Sequence, residues 1–213
     1  MKQWKRPIAL LLMLCLVFVL SACGGKKGPT AKDAEDYVKA VLDLMCTGDY
    51  DHSVNLADAD EIGATIEASV DEALEAILAD MSLNDDIVAD FRQVLISMFS
   101  KVRYTVGTAT AAEEGFDVPV TIEPILFGDK VTEAVNEGVA EITSDPNVAT
   151  MTEHEMINKL MRYAVDALKA ELDDPQYGES SVVTVRYKEL QDGLYGVDEA
   201  DGQKLGMAMF QAA

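Results

Sequence analysis

The chain has 213 residues, 49% of them hydrophobic, with 38 acidic against 17 basic side chains and a formal charge of −21. Such a surface repels polyanions, so nucleic-acid binding is excluded as a function. The length suits one domain with its own core, and three cysteines are too few for a disulfide framework.

Lys2, Lys5 and Arg6 precede an unbroken apolar run from Ile8 to Leu20. A charged start and an apolar run of that length have the form of a secretory signal, and the run is too short to span a bilayer. Leu20-Ser21-Ala22-Cys23 closes it, and these four residues resemble the lipobox of bacterial lipoproteins. The resemblance implies a signal peptide at 1–22, cleavage after Ala22 and a lipid on Cys23. That address is the cell membrane, lipid-anchored on its extracytoplasmic face. Gly24-Gly25-Lys26-Lys27-Gly28-Pro29 makes residues 23–30 a short flexible tether. Residues 31–213 then form a single domain. With Cys15 in the signal and Cys23 lipidated, Cys46 is left alone among Leu42, Leu44 and Met45, where a buried, inert thiol is expected.

Thr30 is read as the N-cap of a first helix, with Asp33 three residues on. Ala34, Tyr37, Val38, Val41, Leu42 and Met45 recur at three and four as its buried face, and Gly48 ends it. A second helix is predicted over 60–81, with a stripe through Val70, Leu74 and Ile77. A third carries Ile87, Phe91, Val94, Leu95 and Met98. The period then changes to two. Tyr104, Val106 and Thr108 alternate with Arg103, Thr105 and Gly107; Phe116, Val118, Val120 and Ile122 alternate with Asp117, Pro119, Thr121 and Glu123. Pro119 predicts that its strand lies at a sheet edge there, because proline has no ladder donor. Helices follow at 130–142 and from Thr152 to Leu172, the second with a Thr152–Glu155 capping box. Val182–Leu190 and Leu194–Val197 read as a hairpin turning at Asp192-Gly193, and a helix from Glu199 to Phe210 closes the chain.

Helices segregated from antiparallel hairpins indicate an α+β domain. The order of elements, with Tyr37-Val38-Lys39-Ala40-Val41-Leu42, Thr47-Gly48-Asp49-Tyr50-Asp51, Tyr104-Thr105-Val106-Gly107, Val120-Thr121-Ile122-Glu123-Pro124 and Asp192-Gly193-Leu194-Tyr195-Gly196-Val197-Asp198, resembles the NTF2-like (cystatin-like) superfamily and its uncharacterised lipoprotein members. The resemblance implies helices packed on a curved antiparallel sheet. It transfers no activity, because fold does not carry function.

No nucleophile elbow, Walker loop or dinucleotide fingerprint is present. His52 and His154 are remote from each other and from a metal-ligand spacing. A calcium loop begun at Asp49 would need Gly where Val54 stands and Glu where Asp60 stands, so the acids from 49 to 61 are read as capping and solvation. No catalytic residue, cofactor or metal is assigned.

Two repeated pairs remain, Arg103-Tyr104 and Arg186-Tyr187. Each puts arginine and tyrosine on opposite faces of a strand. Tyr104 and Tyr187, with Tyr163, are candidate linings of a cavity between sheet and helices; Arg103 and Arg186 are candidates for an outer interaction face. The reading is a non-enzymatic domain that binds a small ligand in that cavity. Its alternative is binding of an envelope protein, a second copy of the chain included. A hydrolase or isomerase of NTF2-like type ranks third.

Overall fold

A computed structural model describes residues 28–212, apart from positions 50, 53, 55, 57, 58, 80, 128 and 192. The signal segment and Cys23 lie outside the described residues, as do Asp192 and much of the acid run from 49 to 61.

The domain is α+β, with helices packed on a curved antiparallel sheet. Helix α1 (Ala31–Thr47) opens as its sequence dictates. The Thr30 hydroxyl accepts the Asp33 N–H, the Asp33 carboxylate accepts the Thr30 N–H, and Gly48 closes the helix at φ 74°. Helices α2 (Ala59–Leu78) and α3 (Asp85–Ser100) follow. Then come β1 (Arg103–Val106), β2 (Thr110–Ala111), β3 (Phe116–Glu123) and β4 (Ile125–Phe127). Helix α4 (Asp129–Ser144), a 3-10 turn at Val148–Thr150 and α5 (Glu153–Asp173) lead to β5 (Gln176–Tyr177), β6 (Ser181–Gln191) and β7 (Leu194–Val197). Helix α6 (Glu199–Met209) and β8 (Phe210–Ala212) complete the described chain.

The main sheet has the order β1-β3-β6-β7, with β2 beside β3 on the β1 side, and every pair is antiparallel. A smaller sheet, β5-β4-β8, pairs β4 with β8 in parallel, Ile125 beside Phe210.

Pro119 does not put β3 at an edge; β3 is central, between β6 and the β1–β2 pair. Its missing donor is harmless because the neighbouring strand is interrupted there. Val106 pairs with Val120 and Thr110 with Asp117, and between them only the Gly107 N–H reaches the Pro119 carbonyl, at 2.7 Å.

Alternation puts Val118, Val120, Ile122, Val185 and Tyr187 on one face, where they are buried against α1 and α6. A second core joins Val70, Ala73 and Leu74 of α2, Ile87, Val94, Leu95 and Met98 of α3, and Val165 and Leu172 of α5. Phe127 and Phe210, from the small sheet, touch both cores, and Phe210 meets Phe99 edge-on at 5.4 Å. Buried Asn158 ties α5 to the α2–α3 connection. It accepts the Asn84 N–H at 2.7 Å and donates to the Ser82 and His154 carbonyls.

Candidate functional site

Tyr37, on the inward stripe of α1, meets Tyr187 of β6 with ring centroids 4.9 Å apart, and Tyr187 stacks on Tyr195 of β7 at 5.9 Å. Three tyrosines from three elements thus line up beneath the sheet. Tyr187 is 1% exposed, and burial pushes its phenol up to about 12. Burial likewise raises the Tyr37 phenol. The Tyr37 hydroxyl is buried and has no hydrogen-bond partner among the described residues.

Beside Tyr37 lies a cavity of about 20 Å³, bounded by Val38, Val41 and Leu42 of α1, Val185 of β6, Val197 of β7 and Gly202 and Leu205 of α6. That holds a water-sized guest; a small-molecule site needs roughly 300–1,000 Å³. Tyr187 is therefore a packed core residue, and the phenol that borders the cavity is Tyr37, which the periodicity of α1 already marked as inward.

Tyr104 is half-buried and faces inward, but at the margin. Its hydroxyl donates to Asp43 of α1, which also pairs with Lys39. Burial, then this hydrogen bond, raise the phenol, so it holds its proton at neutral pH and offers no base or nucleophile. Tyr163 does not join the group. It lies on α5 with its hydroxyl on Glu141 of α4, and its ring fills the space over Gly138, where a Cβ would come within 2.7 Å of it. Strand alternation could not place a helical residue, so only packing revealed this. Cys46 is buried, and its thiol is pushed up to about 12 by burial.

The opposite face of the sheet is uncovered. Thr105, Val182 and Thr184 are exposed there, while Pro119, Thr121 and Arg186 are half-buried. Val182 is 63% exposed, the largest exposure among the large hydrophobic side chains described. Arg103 and Arg186 do share this side, and both are engaged. Arg186 grips Asp117 through Nε and an Nη at 2.8 and 3.1 Å. Arg103 pairs with Glu123 at 3.3 Å and sits 3.8 Å above the Tyr177 ring. Among the described residues no group of three His, Cys, Asp or Glu side chains is arranged to hold a metal, and no helix is long and apolar enough to cross a membrane.

No protein-family model matches the chain, and no curated protein matches it. Its fold is similar to that of ycdA from Bacillus subtilis subsp. subtilis str. 168, a protein classed as a lipoprotein and known from a crystal structure. The TM-score is 0.61 at 14% identity, over 84% of this chain and 56% of that one. The likeness is one of fold. This chain spans little more than half the length of ycdA.

Proposed function

We propose that the chain is an extracytoplasmic lipoprotein, held to the membrane by a lipid on Cys23. Its domain, of NTF2-like type, works by binding another envelope protein across the uncovered face of the main sheet. The lipobox-like Leu20-Ser21-Ala22-Cys23 and the fold shared with a protein classed as a lipoprotein support the address. The observation that carries the role is the contrast between the two sheet faces. The cavity beside Tyr37 on the inner face holds about 20 Å³, whereas the outer face leaves Val182 63% exposed among threonines. An uncovered β surface with its charges paired and an exposed valine near its edge suits protein contact better than ligand enclosure.

Two measurements test this. The intact mass of the native protein should begin at Cys23 and include acyl chains; an unmodified terminus would end the anchored reading. A photo-crosslinking residue at Thr105 or Thr121, in cells, should give a discrete heavier adduct, and the same residue at exposed Gln93 of α3 should not. Equal or absent adducts would remove the sheet face from consideration.

A second reading, a small ligand in the cavity, rests on the unpartnered Tyr37 hydroxyl beside it. A compound that raises the melting point of the wild type and not of Tyr37→Phe would move the assignment there.

A further inference from the structure

Strand β6 is interior for only part of its length. β7 pairs with it from Tyr187 to Gln191; beyond that α6 packs against β6 as far as Arg186, and among the described residues no strand lies beside Val182 to Thr184. Val183, Val185 and Tyr187 turn their backbone groups towards β3, since the Pro119 carbonyl points to the β1 side and sets the alternation across the register. Arg186, Thr184 and Val182 therefore turn theirs outward. The Arg186 N–H is met by the Asp201 carboxylate of α6 at 2.9 Å. No partner among the described residues meets the N–H of Thr184 or Val182.

Proteins blunt such edges with charge, proline or brevity. Apart from the Asp201 carboxylate of α6 at Arg186, none of these is used here. Residues Ser180-Ser181-Val182-Val183-Thr184-Val185 carry no charge and no proline, in a chain of formal charge −21. The segment is a template for strand addition.

We propose that its occupant is the same segment of a second copy, paired antiparallel about a two-fold axis at Val183. This deepens the protein-binding reading and rests on it. In that register Val182 lies opposite Thr184 of the second copy and Thr184 opposite its Val182, and these outward backbones exchange four hydrogen bonds. Val183 faces its own equivalent in a close, non-hydrogen-bonded pair, and its half-buried side chain is covered by an identical one. On the outer face Arg186 comes opposite Ser180, so from Val182 to Thr184 no acid meets an acid, and the seam ends at Arg186, where Asp201 of α6 lies. Acidic copies repel one another elsewhere, which makes this neutral strip the least opposed line of approach. The symmetric contact closes on itself and leaves no second open copy of the segment. A seam of this length is small beside the 1,200–2,000 Å² or so of a stable interface. The pair therefore depends on the shared membrane plane, which raises local concentration.

The test is Val183→Cys in the full-length chain in its native membrane, under mild oxidation. A disulfide-linked dimer is expected, because Cα atoms of a non-hydrogen-bonded pair lie within bridging distance. Thr105→Cys, more exposed than Val183 and on β1, should give none, and adding Val182→Pro should abolish the Val183→Cys dimer. That proline removes an outward N–H and leaves the β3 ladder intact. If Val183→Cys lowers the yield of folded protein, the double variant Val182→Cys, Thr184→Cys reads the same register from two exposed positions. Absence of the cross-link, or a cross-link indifferent to Val182→Pro, overturns the pairing. The wider reading is judged separately: adducts from Thr105 or Thr121 to a different protein would survive that failure. Their loss beside an intact Val183→Cys dimer would sink the face reading alone.

Discussion

On the sheet side, Val118, Val120, Ile122 and Val185 are wholly inaccessible to water; on the helix side Val165 is too, while Leu74, Leu78 and Met98 each keep 7–9% of their surface. The linkages differ in kind as well. Asp71 to Arg92 joins α2 to α3; Asp86 and Asp90 to Arg162, with Asp90 to Lys169, join α3 to α5; Glu141 to Lys159 joins α4 to α5. On the sheet side such pairs are peripheral, and the strands are held by backbone ladders over a β-branched interior. One half thus depends mainly on apolar burial. The other supplements its apolar core with charge pairs at its surface, which respond to pH and salt.

The largest test compares Ile122→Ala with Leu95→Ala. Truncating a fully packed side chain costs about 2–5 kcal/mol, less where neighbours can relax into the space. Ile122→Ala should fall near the top of that range and Leu95→Ala near the bottom, read as denaturant midpoints at constant slope. Equal losses would erase the distinction between the cores.

Two glycines sharpen it. Gly115 sits at φ 80°, and a Cβ there would lie 2.0 Å from the Tyr187 carbonyl oxygen, so Gly115→Ala must displace the backbone of β6. A loss of roughly 1–3 kcal/mol is expected from the strained backbone alone. Gly138→Ala meets only the Tyr163 ring, a side chain that can turn. Its effect should be smaller, and visible in amide exchange of α4 and α5 before that of β3.

The smallest effect concerns acid. Arg92 holds Asp71, Lys169 and then Arg162 hold Asp90, and Tyr163 and then Lys159 hold Glu141 below the ordinary carboxylate range. A carboxylate whose pKa is depressed by folding stabilises the fold above its unfolded value, near pH 4, and loses that contribution as pH falls through the folded value. Acidification below about pH 4 should therefore speed amide exchange in α3 and α5 while β3 and β6 stay protected, and high salt should do the same more weakly. Uniform loosening of both halves would mean that the charge pairs do not distinguish them.

Much of this was legible in the order of residues, because it is written over short distances. The periods of α1 to α6, the capping residues Thr30 and Thr152, the helix stop at Gly48 and the alternation along β1, β3, β6 and β7 each depend on neighbours within a turn or a pleat. So does the placement of Arg103 and Arg186 opposite Tyr104 and Tyr187. Remote contacts were not legible. β4, β5 and β8 are strands of two or three residues, too short for any period, and they exist because Ile125 finds Tyr177 on one side and Phe210 on the other. The central position of β3, the division of the helices into two cores and the choice of Tyr37 over Tyr163 beside the cavity are of the same sort. Each is settled by which distant surfaces bury one another, and no local pattern records that.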